Sequence, residues 1–234
     1  MKKITILSLI FCLVACAELQ SISENLPQSG YGLSQTDIAN GLKQALEKGV
    51  TQEVTKLTKE NGFYTNELVR ITLPEELQKV EKALRDVGMG NLADKGIQAL
   101  NNAAEDAVST AIPIFVDAVK DISFTDAKNI LLGDDRAATT YLESRTNTAL
   151  YNEFSPIIRN SFEKVGADKI WSNIITQYNK IPFTENVNSN LTDYVTGEAL
   201  KGVYTMIAVE EKEIRNNFEA RTTDLLQKVF ALQD

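Results

Sequence analysis

The 234-residue chain has no histidine, only two cysteines and a single tryptophan. Without histidine there is no Ser-His-Asp or Cys-His nucleophile, no imidazole metal ligand and no histidine pH switch. Any chemistry falls to carboxylates, lysine, arginine, tyrosine or hydroxyls. Basic side chains are short as well, 24 against 32 acidic ones, for a formal charge of −8. That balance argues against nucleic acid as a partner and against an electrostatic hold on anionic lipid. What remains is an ordinary globular composition, 43% hydrophobic and 24% charged. A chain of this length holds a core without disulfide or metal staples.

The first residues read as a secretory leader. Lys2 and Lys3 supply the positive start, and an apolar run follows from Ile4 to Val14, broken only by Thr5 and Ser8. The run is too short to cross a bilayer as a mature helix. It ends in Leu13-Val14-Ala15-Cys16, which resembles the lipobox of bacterial lipoproteins, where the cysteine becomes the diacylglyceryl-modified first residue. The expected organisation is a signal peptide over 1–15, a lipidated Cys16 with a flexible tether over 16–33, and one helical domain over 34–234. Cleavage removes Lys2 and Lys3 and takes the formal charge from −8 to −10. Cys12 leaves with the leader and Cys16 becomes a thioether, so the mature protein has no thiol left for a disulfide, a nucleophile or a metal. Attachment then rests on the acyl chains alone, and two or more on one residue suffice. Ala17, standing where an aspartate would retain a lipoprotein in the inner membrane, implies transfer to the outer membrane.

From Ser34 onward the chain reads as a series of helices, eight to ten in number, with punctuation at nearly every join. Ser34 and Asp37 form a capping-box pattern ahead of Ile38, Leu42, Ala45, Leu46, Val50, Val54 and Leu57. Asn61-Gly62 stops that helix. Val69, Ile71 and Leu73 alternate with polar residues as a short extended connector ending at Pro74. Pro74-Glu75-Glu76 opens a helix closed by Gly88 and Gly90. From Asn91 to Ile112 the expected inward ridge is Gly96, Leu100, Ala103, Ala104, Ala107 and Ala111, small enough for close approach, which places this helix at the centre. Pro113 is expected to interrupt it, with Ile114, Phe115, Val116 and Val119 continuing beyond. Ser123 or Thr125 caps a short helix ended by Gly133. Asp134-Asp135 read as the cap and first turn of a helix to Phe154, and Ser155-Pro156 as the start of the next. Further helices are expected over 167–179, 192–217 and 223–230. The fold class is all-α, a single multi-helix domain.

Several stretches carry a resemblance: Gly41-Leu42-Lys43-Gln44-Ala45-Leu46, Val69-Arg70-Ile71-Thr72-Leu73-Pro74, Leu100-Asn101-Asn102-Ala103-Ala104-Glu105 and Tyr194-Val195-Thr196. The most distinctive is Glu210-Glu211-Lys212-Glu213-Ile214-Arg215 followed by Arg221-Thr222-Thr223-Asp224-Leu225-Leu226. Over nearly all of 34–230 the chain resembles the uncharacterised bacterial family called domain of unknown function 4197. The resemblance implies exported, often lipid-anchored helical proteins without an assigned activity, and it carries over no catalytic or binding residue.

One polar residue breaks the helical pattern. Leu200, Val203, Ile207, Ile214 and Phe218 form an apolar stripe, and Glu211 falls inside it, about 40° around the helix from Ile207 and about 60° from Ile214 at 100° per residue. A carboxylate there needs a partner or a proton. Arg215 stands one turn on, and Arg221, Arg70, Arg136 and Arg145 are further candidates. The cluster Glu211, Arg215 and Arg221 reads as a structural ion-pair network or as a carboxylate held for acid–base work or a cationic ligand. The structural use is the commoner one.

Other candidates point to less. The pairs Glu75-Glu76, Glu105-Asp106 and Asp134-Asp135 are neighbours on helices, splayed about 100° apart, and suit neither a glycosidase nor a metal site. Gly88-Met89-Gly90 is a helix stop and not a phosphate loop. Tyr151, Phe154, Phe162, Trp171, Tyr178 and Phe183 cluster over 150–185, as core or as the lining of a lipid or glycan pocket. No catalytic residue, metal or cofactor is expected. The expected function is that of a non-catalytic, lipid-anchored envelope protein on the outer membrane, facing the periplasm and binding another protein or a wall component. A helical carrier of an apolar ligand is the alternative, and a carboxylate-based enzyme the third reading.

Overall fold

Side chains that seize the first free amides mark where several of these helices begin. The computed structural model describes residues 34–232 apart from 75–77, 79–80, 83–84, 89, 181, 184–185 and 187–189. The expected leader, Cys16 and the expected tether lie outside the described residues. Helix α1 spans Gln35–Leu57 behind a capping box in which Ser34 and Asp37 satisfy each other's backbone amides. After it come α2 (Gly90–Val108), α3 (Ala111–Lys120), α4 (Phe124–Leu131) and α5 (Ala137–Val165). Then follow α6 (Ala167–Tyr178), α7 (Leu191–Asn216), a 3-10 turn at Phe218–Ala220 and α8 (Asp224–Phe230). Ser123 repeats the capping box with Asp126 at α4, and Thr223 caps α8. The architecture is all-α, with eight α-helices and no strand among the described residues. In the helix expected after Pro74, Gln78, Glu81, Lys82, Arg85 and Asp86 are helical, while Glu75 and Glu76 lie outside the described residues.

Two prolines act differently from expectation. The interruption between α2 and α3 falls at Ser109 and Thr110, upstream of Pro113. A proline ring clashes with the carbonyl four residues back, so the chain breaks there and Pro113 settles into the first turn of α3, where its missing N–H costs nothing. Pro156, by contrast, does not start a helix: α5 runs through it without a break. Leu150, Phe154, Ile158 and Phe162 bury one continuous stripe on both sides of Pro156, while Asn152 and Pro156 face solvent. The carbonyl that loses its intrahelical donor is therefore hydrated, and the stripe holds the helix together. Gly166, with φ +66, then ends α5 in the left-handed conformation.

The core is one cluster drawn from every helix. Its most extensive contact is between α5 and α7, the two longest helices. Helix α2 packs on α5 and α7, and α1 packs on α3, α4, α7 and α8. The α5–α7 pair, not α2 as expected, is therefore the centre. Leu100, Ala103, Ala104 and Ala107 of the α2 ridge are buried as read, as is Ala111, which falls instead at the start of α3, but Gly96 is exposed and Ala93 and Ile97 are buried in its place. Close approach is made instead at Gly202 of α7, where a Cβ would stand 2.7 Å from the Phe63 ring.

Candidate functional site

Glu211 is 7% exposed and Arg215 8%, on one face of α7. The guanidinium donates twice to Glu211 Oε1, from Nε at 3.0 Å and Nη2 at 2.8 Å. The rest of the carboxylate is taken by the start of α5: Ala138 N–H reaches Oε1 at 2.9 Å, and Thr139 N–H and Oγ1 both reach Oε2 at 2.8 Å. These are amides that a helix start leaves without intrahelical acceptors. Arg215 does the converse at the end of α4, donating to the carbonyls of Ile130 at 2.7 Å and Leu131 at 3.2 Å. Negative charge thus meets a positive helix end and positive charge a negative one. One Glu-Arg pair on α7 closes the joint between α4 and α5.

This alters the part expected of Asp134-Asp135. The residue before α5 is Arg136, and it makes no side-chain cap. The Asp134 carboxylate accepts from Arg136 N–H at 2.9 Å, and the amides of Ala138 and Thr139 are capped by a residue more than seventy positions away. Arg221 is 2% exposed and near the cluster, yet it turns to backbone. Its Nε donates to the carbonyl of Ile214 at 3.1 Å and its Nη2 to that of Arg215 at 2.9 Å, sealing the end of α7. Its guanidinium also lies over Phe218 and Phe230, 6.0 and 5.8 Å from the ring centres. The other arginines named as candidates are elsewhere: Arg70 over Tyr64 at 4.4 Å, Arg145 over Tyr141 at 5.3 Å, and Arg136 exposed at the rim of a groove.

A second polar clamp was not foreseen from the pattern. Asn101, fully buried on α2, receives the N–H of Ile71 at 2.8 Å and donates to its carbonyl at 2.8 Å, with a third bond to Ile97 O at 2.7 Å. The amide thus gives Ile71 the two bonds a neighbouring strand would supply, whereas Val69, expected in the extended connector, sits in a turn in which its N–H and that of Arg70 donate to Asn66 O at 3.2 and 2.9 Å. Tyr194 Oη donates to Thr72 O at 2.7 Å from α7. Glu105, on the same helix as Asn101, accepts from Phe63 N–H at 3.1 Å, and burial pushes its carboxyl above the ordinary range. Three of the stretches that carry the family resemblance meet here.

The aromatic residues of 150–185 divide. Phe154 and Phe162 are in the core, and Trp171 stacks on Tyr194 with ring centres 5.8 Å apart. Tyr151 donates to Asp193 at 2.5 Å, Phe183 is exposed, and the Tyr178 side chain lies outside the description. Between α5 and α7 an open groove of about 320 Å³ has polar walls, including Glu143, Asn147 and Lys201. The Tyr204 phenol at its floor bonds Thr146 at 2.8 Å, and burial pushes its pKa to about 12. Among the described residues no three acidic or cysteine side chains converge as a metal would need, and no helix is long and apolar enough to cross a membrane.

Fold and cluster together define an all-α domain in which the buried Glu211, Arg215 and Arg221 serve helix ends. The chain belongs to the family described as protein of unknown function (DUF4197), which matches residues 32–231. No curated protein and no solved structure matches it.

Proposed function

We propose that the protein is a non-catalytic lipoprotein of the cell envelope, anchored through Cys16 at the outer membrane and facing the periplasm, whose helical domain binds another protein or a wall component. The observation that carries this reading is the saturation of Glu211. Its two oxygens take five bonds from Ala138, Thr139 and Arg215, all of them groups of the protein itself. A carboxylate so occupied has no lone pair to spare for a substrate proton or a cationic ligand. The carrier reading draws less support, because Phe154, Phe162 and Trp171 spend their area on packing. What is left for recognition is the acidic surface with its polar grooves, on a domain that the tether of 16–33 holds off the membrane.

Crosslinking in intact cells, affinity capture and mass spectrometry of protein, wall fragments and lipid together test this reading. A recurrent envelope protein or wall fragment is expected. Reproducible recovery of a lipid with neither would replace it with the carrier.

A further inference from the structure

Glu53 of α1 is 2% exposed, and its Oε1 is paired with Lys56. Its Oε2 is buried without a hydrogen-bond partner, the one such side-chain atom among the described residues. Stranding a carboxylate oxygen costs free energy, so the position calls for an explanation. The group opposite is another carboxylate. At Gly49 the bare backbone lets the Glu210 stem of α7 pass, its Cγ only 3.3 Å from where a Cβ would be. Glu53 is one turn further along the same face of α1, within hydrogen-bonding reach of the Glu210 carboxyl. Two ionised carboxylates cannot donate to each other, so Oε2 is orphaned only while no proton lies between them.

We propose that Glu53 and Glu210 together form a binding site for a single proton, which ties α1 to α7 when present and sets two like charges against each other across that seam when it leaves. Burial pushes the Glu210 carboxyl above the ordinary range, and the Glu53 charge pushes it the same way. Lys56 of α1 opposes this, and Glu213 of α7 reinforces it. Other charges lie apart. Glu211, next in sequence, is spent on Arg215 and α5. Glu105 of α2 faces the turn after α1 and bonds Phe63. Helix α3 meets α1 near Lys43, which donates to Lys120 O, and α8 meets it near Gly41. Those charges, with Asp117 and Asp121 of α3 and Asp224 and Lys228 of α8, are two turns or more from Glu53 along α1. Helix α4 is joined to the cluster through its C-terminal carbonyls, which face Arg215.

A carboxyl raised in the folded state contributes most below its unfolded value. Its contribution is lost as pH climbs from about 4.5 through the folded value. Thermal unfolding of the full chain at pH 5 and pH 8 reads this directly. In Glu210→Gln the amide donates to Glu53 at every pH, so the variant should equal the wild type at pH 5 and melt a few degrees higher at pH 8. Glu213→Gln should keep most of the wild-type fall. An identical fall in the wild type and Glu210→Gln overturns the proposal, as does loss of the fall in Glu213→Gln alone. Carbon-13 titration of the wild-type glutamate carboxyls provides a reading that needs no variant. Burial already raises Glu105, so the deciding signal is the assigned Glu210 carboxyl, which should titrate above the ordinary range; Glu210 titrating as a free glutamate would overturn the pairing.

Discussion

Glu211 takes five hydrogen bonds while buried, so removing it leaves two amides bare and the Arg215 guanidinium without its counter-charge. Glu211→Ala should cost on the order of 3 to 5 kcal/mol in urea unfolding. Because Arg215→Ala breaks the same joint, the double variant should lose clearly less than the sum of the two. Asn101→Ala leaves the N–H and carbonyl of Ile71 buried and bare, at a cost of about 2 to 4 kcal/mol by the same measurement. The first of these sites was legible in part. Helical angle alone placed Glu211 inside an apolar stripe and Arg215 one turn on. The identity of its backbone partners was not legible, since Ala138 and Thr139 are 73 and 72 residues away and nothing local marks them. Arg221, one of several arginines read as candidates to join Glu211, donates to the carbonyls of Ile214 and Arg215, which the helical pattern did not indicate.

At the scale of the element, the starts of helices were the most legible feature, because a serine with an aspartate three residues on is a local device. Ser34 and Ser123 both do as the pattern says. Each serine holds its aspartate, Asp37 or Asp126, below the usual carboxylate range. The benefit is present above about 3.8 and is lost as pH falls through the lower folded value. Circular dichroism between pH 2 and pH 5 should show less helix lost on acidification in Ser123→Ala than in the wild type, starting from a less stable helix at neutral pH. Prolines were less legible, since whether one breaks a helix depends on which face it occupies. Pro156 is on the wet face of α5, so Pro156→Ala returns a donor to Asn152 O with no change in packing. Its midpoint in urea should rise, by about 1 to 3 kcal/mol of stability.

For the whole molecule, helical periodicity was enough for the all-α class. It did not reveal that α5 and α7 form the centre, because a stripe shows that a face is buried without naming what buries it. The proposed acyl anchor at Cys16 belongs to this scale as well. Cys16→Ala should abolish acyl labelling and move the protein from the membrane to the soluble fraction of fractionated cells, whereas continued membrane retention would place the anchor elsewhere. The joint that α7 makes between α4 and α5 also bears on how the molecule opens. Ala138 and Thr139 are in the first turn of α5, where amides ordinarily exchange with solvent deuterium almost as freely as in an unfolded chain. Here their release requires α7 to withdraw Glu211, and α7 can do so only by giving up its packing on α5 and its hold on α4. Those two amides should therefore exchange as slowly as the middle of α5, through global unfolding alone, while the exposed capping-box amides at the start of α1 exchange by fraying.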